Sequence, residues 1–177
     1  TITPTRPPDL SIVMPCYNEE EVIVYTIPQL IAAFDKAGFQ LELVAVDNGS
    51  RDRTGEILQG FVQKGLPVVH TRVEHNQGYG FGILHGLPLC RAPWVGSIPA
   101  DGQVDPEDVA RLFEVVRNAN GVVLGKVRRR FRLDGLWRKV VSVAYNGLVF
   151  LMWPRLGSID VNGSPKLFPR ALLPELE

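Results

Sequence analysis

The stretch LELVAVDNGSRDRT, residues 41–54, predicts a strand, a tight turn and the start of a helix in immediate succession. Its first part, 41–46, is a short run rich in apolar and β-branched side chains, typical of strands buried on both faces of a parallel sheet. Asn48 and Gly49 tolerate the positive φ angles of a turn. Asp52 can cap a helix over 52–64, with Gly65 just past its end. This unit indicates an α/β protein.

The same alternation runs along the rest of the chain. Asp105 and Pro106 suit the cap and the first position of the fourth predicted helix, whereas Pro28 predicts a kink or a break in the first. We therefore expect an α/β sandwich with a mostly parallel central sheet flanked by helices, formed as one domain over 10–177 behind a flexible leader, 1–9. The predicted strands are 10–15, 41–46, 66–73, 93–98 and 121–126, and the predicted helices are 19–37, 52–64, 79–90, 106–118 and 136–153.

Composition and charge narrow the class of protein. The chain has 177 residues, of which 45% are hydrophobic, so it can bury the core of one domain. Its 19 basic and 19 acidic residues cancel, which gives no electrostatic argument for nucleic acid, and none is expected as a partner. Cys16 and Cys90 form no disulfide framework, so we expect a reducing compartment. The apolar stretch Val140–Trp153 is shorter than the roughly 20 residues of a membrane-spanning helix.

Polar residues follow four of the predicted strands at the point where each strand ends. Ligands of such sheets bind beyond the carboxyl ends of the strands, so we expect these loops to converge on one site. The loop residues are 15–20 after the first strand, 47–52 after the second, 75–80 after the third and 100–103 after the fourth. This convergence indicates a ligand site rather than four unrelated turns.

Two of these loops carry acids suited to a phosphorylated ligand. Asp47 ends an apolar strand and has no capping task in the pattern, so its carboxylate suits the N–H and O–H groups of a base or ribose; a plain turn is the alternative. Asp101 and Gln103 alternate, so both side chains can point to one side. Together with waters they suit a hard divalent cation, Mg²⁺ or Mn²⁺, that carries a diphosphate; an Asx-type turn is the alternative.

Glycines at 78, 80, 82 and 86 do not match a dinucleotide-binding fingerprint. Their spacing differs from G-x-G-x-x-G, and they follow the third predicted strand rather than the first. Two explanations stay open: close packing of a helix against the sheet, or close approach of the backbone to a ligand.

The segment RRRFRLDGLWRK, residues 128–139, interleaves basic and apolar side chains and contains a single acid. This combination favours a bilayer surface or an anionic headgroup over a merely solvated face. Arg138, Ser142 and Asn146 share one face of the helix that follows, which suits a grip on phosphate. Lys166 offers a second phosphate contact.

The order of these motifs resembles that of family 2 glycosyltransferases of the GT-A fold, near the dolichol-phosphate mannose synthases and polyprenyl-phosphate sugar synthases. The matching pieces are SIVMPCYNEE, VDNGSRDRT, HNQGYGFGILHG, ADGQVDPED, RKVVSVAYN and DVNGSPKLFPR, within residues 10–170. The resemblance implies a metal-assisted, inverting transfer of a sugar from a GDP- or UDP-sugar to a polyprenyl phosphate. It also implies a cytoplasmic protein that lies peripherally on the inner face of the membrane.

The resemblance assigns residues to these tasks. The implied nucleotide-sugar contacts are Pro15, Tyr17, Asn18, Glu19, Asp47, Asn48, Gly49 and Asp101, and the implied metal ligands are Asp101 and Gln103. The implied contacts to phosphate, in acceptor or donor, are Arg128, Arg138, Ser142 and Lys166. The implied catalytic residues are Asp101, Arg138 and Asp160, of which Asp160 is the candidate base for a hydroxyl acceptor.

Two departures from the family pattern bear on these expectations. Pro99 stands where the first Asp of the D-x-D motif usually lies, so the metal has one fewer carboxylate. The chain ends at Glu177, where family members continue, so part of the acceptor region is expected beyond it. Two alternatives therefore stay open: a cell-envelope or polysaccharide transferase with a hydroxyl acceptor, and a module that binds a nucleotide sugar without turnover.

Overall fold

The computed structural model describes residues 6–119, 123–126 and 163–175. Its strands are β1 (Leu10–Cys16), β2 (Leu41–Asp47), β3 (Val68–Arg72), β4 (Trp94–Ser97), β5 (Gly125–Lys126) and β6 (Lys166–Pro169). Its α-helices are α1 (Glu20–Lys36), α2 (Thr54–Gln63), α3 (Tyr79–Gly86) and α4 (Pro106–Arg117), and short 3₁₀ helices cover Leu87–Leu89 and Arg170–Glu175.

The described strands form one sheet in the order β3-β2-β1-β4-β6-β5. β1 pairs in parallel with β2 and with β4, and β2 pairs in parallel with β3. β6 runs antiparallel between β4 and β5. This mixed, mostly parallel sheet with flanking helices confirms the predicted fold class.

Helices cover both faces of the sheet. The side chains of a strand alternate between the two faces, and both sets are apolar here, so each face packs against helices. Ile12 and Met14 of β1 pack in a core with residues of α1, α2 and α4, among them the fully buried Phe113. Val13 belongs to a second core with Ile83 of α3. Three helices therefore lie on one face, and α3 lies on the other.

Aspartate carboxylates accept hydrogen bonds from backbone N–H groups at the starts of two helices, although only that of Asp105 belongs to the N-cap residue. Asp105 caps α4 by accepting a hydrogen bond from the Glu107 N–H at 2.8 Å, and Pro106 is the first residue of that helix, as predicted. α2 begins at Thr54 rather than at residue 52. The reason is that Asp52 stays outside the helix, where its carboxylate accepts from the Thr54 N–H at 3.0 Å.

Two further local predictions have different outcomes. Gly65 follows the end of α2 with a φ of 76°, a left-handed conformation that glycine adopts without strain, as its predicted place requires. Of the kink or break predicted at Pro28, the break is wrong, because α1 continues through the proline as one helix. Ile27 and Leu30, on either side of the proline, are both buried in the core and hold the helix to the sheet.

β1 and β4 part at their carboxyl ends. Their register ends with Val13 opposite Ser97, followed by a hydrogen bond from the Ile98 N–H to the Val13 carbonyl at 3.1 Å. Pro99 has no N–H with which to continue the ladder, and Pro15 lies in β1 just beyond the last partner from β4. The two prolines therefore stand on either side of a fork between the strands.

The fork coincides with the point at which the strand order reverses. From β1 the chain builds β2 and β3 on one side, and β4 then returns to the other side. Open α/β sheets bind ligands in the crevice beyond the carboxyl ends of the strands at such a point. The fold thus places the four polar exit loops at the edge of the sheet where such a crevice forms, as the sequence predicts.

The described residues cover the predicted fifth strand and leader only in part and do not include the predicted last helix. Of the predicted fifth strand, 121–126, the structure describes residues 123–126, of which Gly125–Lys126 form β5; the predicted helix 136–153 lies outside the described residues. Within the predicted leader, the Asp9 N–H donates to the Gln40 carbonyl at 2.8 Å and the Asp9 carboxylate accepts from the Gln40 N–H at 2.8 Å, so this end is anchored. Among the described helices, none has the length and apolar character to cross a bilayer.

Candidate active site

Asp47 lies fully buried at the carboxyl end of β2. One carboxylate oxygen accepts from the Ser50 N–H at 2.8 Å and closes the turn; the other pairs with the Arg72 guanidinium at 2.5 Å. Arg72 also donates to the Ser50 carbonyl at 3.0 Å. The plain turn offered as the alternative is therefore present, and the Asp47 carboxylate is already engaged by Ser50 and Arg72. Arg72 is a residue that the sequence analysis missed. Its sequence signal is a basic side chain near the end of the third predicted strand, and the sheet register places it opposite Asp47.

The β1 exit loop is joined to the β2 exit loop through Asn18. This residue has a φ of 53°; its N–H donates to the Ser50 hydroxyl at 3.1 Å, and its side-chain oxygen accepts from the Arg51 N–H at 2.9 Å. The adjacent Glu19 N–H donates to the Thr54 hydroxyl at 2.9 Å. These bonds fix the loop. The neighbouring Tyr17 is 40% exposed, so its aromatic ring is accessible to a ligand.

Asp52 links the N-termini of α1 and α2. Desolvation raises the pKa of its carboxyl, but hydrogen bonds from Thr54 and from the backbone of Glu20 outweigh that effect, and the pKa is below its ordinary value. The carboxylate is therefore ionised at neutral pH and fixed against two helix starts.

Glu19 connects the β1 exit electrostatically with the β4 exit. Burial raises the pKa of its carboxyl, and the nearby charges of Asp101 and then Asp52 raise it further. Beneath it, burial also raises the pKa of the Cys16 thiol, with contributions from Glu19 and Asp47. Acids from the β1, β2 and β4 exits thus act on one another across the crevice, and this local negative charge suits a ligand that brings a cation.

Asp101 and Gln103 lie exposed on the β4 exit loop. One oxygen of the Asp101 carboxylate accepts from the Gln103 N–H at 3.0 Å, around Gly102 at a φ of 70°. The Asx-type turn offered as the alternative is therefore present. Among the described residues there is no group of three or more His, Cys, Asp or Glu side chains placed to hold a metal. An exposed carboxylate and an amide oxygen fit Mg²⁺ or Mn²⁺ only as a partial shell, which a diphosphate and waters would complete.

Tyr79, the first residue of α3, lies in the third polar exit loop, 75–80, but the sequence pattern gave it no individual role. Burial raises the pKa of its hydroxyl, hydrogen bonding with Ser164 and Ser97 lowers it, and the charge of Asp101 raises it again. The hydroxyl therefore joins the start of α3 to Ser97 at the end of β4 and to Ser164 before β6. The only sequence signal of Tyr79 is an aromatic residue between two glycines of a polar exit loop.

Lys166 begins β6 directly opposite Ser97, the last residue of β4. Because β6 runs antiparallel to β4, its amino end lies at the same edge of the sheet as Asp101. The structure thus brings Lys166 to the edge where a phosphate contact was expected. Arg128, Arg138, Ser142 and Asp160 lie outside the described residues.

The glycines at 78, 80, 82 and 86, at the end of the third exit loop and in α3, divide into two pairs. A Cβ on Gly82 would lie 2.8 Å from the Pro15 Cβ, and one on Gly86 would lie 2.5 Å from a Val13 methyl, so these two permit helix packing. Gly78 and Gly80 face open space on the exposed side of the loop. Both explanations of the glycines therefore apply. Gly82 and Gly86 allow the helix to pack on the sheet, and Gly78 and Gly80 leave the backbone accessible.

Asn48 and Gly49 lie in the turn that follows β2, where Gly49 has a φ of 78°. Asn48 is 3% exposed, and its side-chain nitrogen donates to Asn76 and to the Gly78 carbonyl. Gly49 packs so closely on the third exit loop that a Cβ there would lie 2.9 Å from the Asn76 nitrogen. The turn is thus held between its two neighbouring loops.

Polar loops at the point where the strand order of an open α/β sheet reverses are typical of ligand-binding α/β proteins, whose ligands are often nucleotides. Within that class, the chain belongs to glycosyl transferase family 2, whose model matches residues 11–172. This confirms the family that the motifs resemble.

One curated relative is similar to this chain in sequence, and two solved structures are similar to it in fold. The undecaprenyl-phosphate 4-deoxy-4-formamido-L-arabinose transferase of Edwardsiella ictaluri (strain 93-146) is 36% identical over 141 residues, which cover 79% of this chain and 43% of that protein. Glucosyl-3-phosphoglycerate synthase from Mycobacterium tuberculosis, solved with UDP, has 25% identity and a TM-score of 0.67 over 94% of this chain and 58% of that one. A mannosyltransferase from Pyrobaculum calidifontis, solved with GDP-Man and Mn²⁺, has 22% identity and a TM-score of 0.64 over 98% and 48%. The chain thus spans less than half the length of the curated relative.

Proposed function

We propose that this protein transfers a sugar from a nucleoside diphosphate sugar to a polyprenyl phosphate, with inversion at the anomeric carbon. The observation that carries the proposal is the meeting of four polar exit loops at the fork between β1 and β4. The undecaprenyl-phosphate transferase of similar sequence supports the lipid acceptor, and the neighbours solved with UDP and with GDP-Man support a nucleotide donor.

The donor nucleotide would lie over the exits of β1 and β2. Tyr17 offers an exposed ring there, and the loop around Asn18 is held rigid by bonds to Ser50 and Arg51. The other proposed contacts along this edge are Pro15, Glu19, Asp47, Asn48, Gly49 and Asp101. The buried Asp47 carboxylate would hold the half-exposed Arg72 guanidinium, which offers donors to the carbonyl oxygens of either uracil or guanine.

The diphosphate would lie nearer the β4 exit. Asp101 and Gln103 are the proposed ligands of a Mg²⁺ or Mn²⁺ ion that accompanies it. When bound, such an ion offsets the charge that develops on the departing diphosphate. Pro99 leaves the loop with one carboxylate fewer than the family pattern, so this chain relies more on substrate oxygens and water for the shell.

The acceptor would approach from the side of β6. A phosphate acceptor is already an anion at neutral pH, so it needs positioning and desolvation more than a general base. Among the residues that the structure describes, Lys166 is the proposed contact to the acceptor phosphate. Arg128, Arg138 and Ser142 are proposed as further contacts from the sequence alone. A lipid phosphate also requires the protein to lie at the inner face of a membrane, where the basic segment 128–139 would rest.

A direct test compares two acceptors with the same donors. The full-length protein would be incubated with Mn²⁺ and each of a panel of UDP- and GDP-sugars, with undecaprenyl phosphate in vesicles or with an oligosaccharide. We expect sugar to enter the lipid phosphate only, with inverted anomeric configuration. Incorporation into oligosaccharide alone would indicate a polysaccharide transferase with Asp160 as candidate base. Metal-dependent nucleotide binding without product would indicate a binding module, and either result would overturn the proposal.

A further inference from the structure

We propose that the outward side of α1 is a self-complementary surface through which two copies of this protein associate, with their α1 helices antiparallel across a two-fold axis. This association goes beyond the proposed sugar transfer and does not depend on it. The surface, here called the α1 face, consists of Glu21, Tyr25, Pro28, Gln29, Ala32 and Lys36.

The α1 face lies opposite the side of α1 that packs in the core. That inner side consists of residues 23, 27, 30 and 34, which recur every three or four positions and are all buried. Residues 21, 25, 28, 32 and 36 recur with the same period but are displaced by two positions, which is about half a turn of the helix. They therefore form one stripe along the outside, where a surface helix ordinarily carries charged side chains.

The middle of this outer stripe carries no charge. Residues 22–34 include no acidic or basic side chain. Tyr25 is 68% exposed and the adjacent Val24 is 38% exposed. Buried centres of protein interfaces are depleted in charge and enriched in tyrosine, and the polar groups lie at their rim. The α1 face has this composition, with Glu21 at one end and Lys36 at the other.

A shallow groove runs beside the α1 face, between α1 and the start of α4. Its volume is about 370 Å³, and it is lined by Ala32 and Ala33 of α1 and by Pro106 of α4, among others. The ion pair of Lys36 and Glu107, at 2.9 Å, joins the two helices along it. The short alanine side chains leave room there for a side chain from outside.

An antiparallel second copy brings an exposed ring to each groove. With the two-fold axis between Pro28 and Gln29, Tyr25 lies opposite the partner's Ala32, because positions 25 and 32 are equally far from that axis. The same register places Glu21 opposite the partner's Lys36. A two-fold interface contains every such contact twice, so one stripe supplies both the aromatic side chains and the grooves that receive them.

The charges select the antiparallel arrangement and a protein partner. An acid in the first turn and a base in the last turn suit the dipole of α1 itself, so two parallel copies would bring Glu21 beside the partner's Glu21. Anionic bilayers attract helices with several basic side chains, whereas α1 has two acids at its start and Lys36 as its only base. A second copy therefore fits the α1 face better than a lipid surface does.

Sedimentation velocity of the full-length protein over a concentration series tests the association. The variants are Tyr25→Asp, Glu21→Lys and the double variant Glu21→Lys with Lys36→Glu; Val115→Asp, at a 69% exposed side chain of α4, is the matched control. We expect a dimer in the parent. Its dissociation constant should rise about a hundredfold in Tyr25→Asp and about tenfold in Glu21→Lys, because each change acts twice. The double variant restores opposite charges and should return to the parent value, which Val115→Asp should keep.

Cross-linking tests the register. Cys16 and Cys90 are buried, so a cysteine introduced at Gln29, beside the axis, would be the accessible thiol among the described residues. Gln29→Cys should form covalent dimers with a short bismaleimide, and Val115→Cys should not.

Four results would overturn the proposal. A parent that stays monomeric up to about 100 μM has no such interface. If that monomer binds anionic vesicles and Tyr25→Asp abolishes the binding, a bilayer covers the α1 face instead. Equal weakening by Tyr25→Asp and Val115→Asp, or a double variant as weak as Glu21→Lys, places the dimer contact elsewhere. Should Tyr25→Asp not fold, the charge reversal at the exposed positions 21 and 36 still decides the question.

Discussion

Glu20 and Asp52 join the starts of α1 and α2 through reciprocal hydrogen bonds. The Glu20 N–H at the start of α1 donates to the Asp52 carboxylate at 3.2 Å, and the Glu20 carboxylate accepts from the Arg53 N–H before α2 at 3.0 Å. Each acid thus satisfies an N–H at the start of the other acid's helix, where the helix dipole favours negative charge. This exchange holds the β1 and β2 exit loops together beside the crevice.

Removal of Asp52 is expected to weaken folding. Asp52→Ala should lower the free energy of unfolding at pH 7 by about 1–2 kcal/mol, because the first turns of α1 and α2 both lose an acceptor. The pKa of Asp52 is lowered in the folded protein, so its contribution is present above the unfolded-state pKa and is lost as the pH falls through the folded one. Urea unfolding at pH 7 and at low pH should therefore show a difference between parent and variant that shrinks in acid. Glu114→Ala, at an exposed acid of α4, is the control and should stay close to the parent.

The packing of α3 on the sheet is tested at two of its glycines. Gly86→Ala should cost about 1–3 kcal/mol, because its Cβ would lie 2.5 Å from one Val13 methyl and 3.0 Å from a Val46 methyl. Gly80→Ala should leave stability unchanged or raise it by up to about 1 kcal/mol, since its Cβ meets open space in a helix. Urea unfolding of both variants makes the comparison; equal losses would contradict the packing.

The metal assignment is tested at Asp101. Asp101→Asn should weaken Mn²⁺-dependent nucleotide binding by about tenfold or more, because the loop loses its charged ligand. Binding of UDP and GDP would be titrated calorimetrically with Mn²⁺ and with EDTA, and Asp35→Asn, at an exposed acid near the end of α1, serves as the control. Titration curves that match the parent would refute the assignment.

The acceptor side is tested at Arg138. Arg138→Ala should lower kcat/KM for lipid phosphate by about tenfold or more and leave nucleotide affinity close to the parent, because a charge-assisted bond to the acceptor phosphate is lost. Initial rates at varied undecaprenyl phosphate and nucleotide titrations give the two quantities. Arg111→Ala, at an exposed arginine of α4, is the matched control. The reverse pattern would place Arg138 on the donor side.

The two cysteines are expected to be inert in the folded protein. Burial raises the pKa of the Cys90 thiol to about 12 and also raises that of Cys16, so little thiolate is present at pH 8. Alkylation by iodoacetamide at pH 8 should be about a thousandfold slower in the native protein than in denaturant. Mass spectrometry of each cysteine peptide measures this. Rapid labelling of either native thiol would contradict the burial.

At the Asp101 loop and at the glycines 78, 80, 82 and 86, the local sequence pattern is compatible with two interpretations. Because an Asx-type turn and a cation site use the same carboxylate and backbone, the pattern at 101–103 does not separate them; the structure shows the turn and leaves the metal a proposal. The run of glycines is likewise ambiguous in sequence. Its division depends on whether Val13 and Pro15 lie beneath each Cβ position.

By itself, the sequence determined the alternation of strands and helices, the cap at Asp105 and the gathering of polar loops at one edge of the sheet. These follow from side-chain periodicity and from hydrogen bonds between near neighbours, which the chain carries locally. Only the tertiary structure decided that β6 runs antiparallel beside β4, that Pro15 and Pro99 flank a fork, that Asp47 pairs with Arg72, and that Asn48 holds the β3–α3 loop. Those contacts join residues far apart in the chain, and no local pattern specifies which distant partner will complete a hydrogen bond.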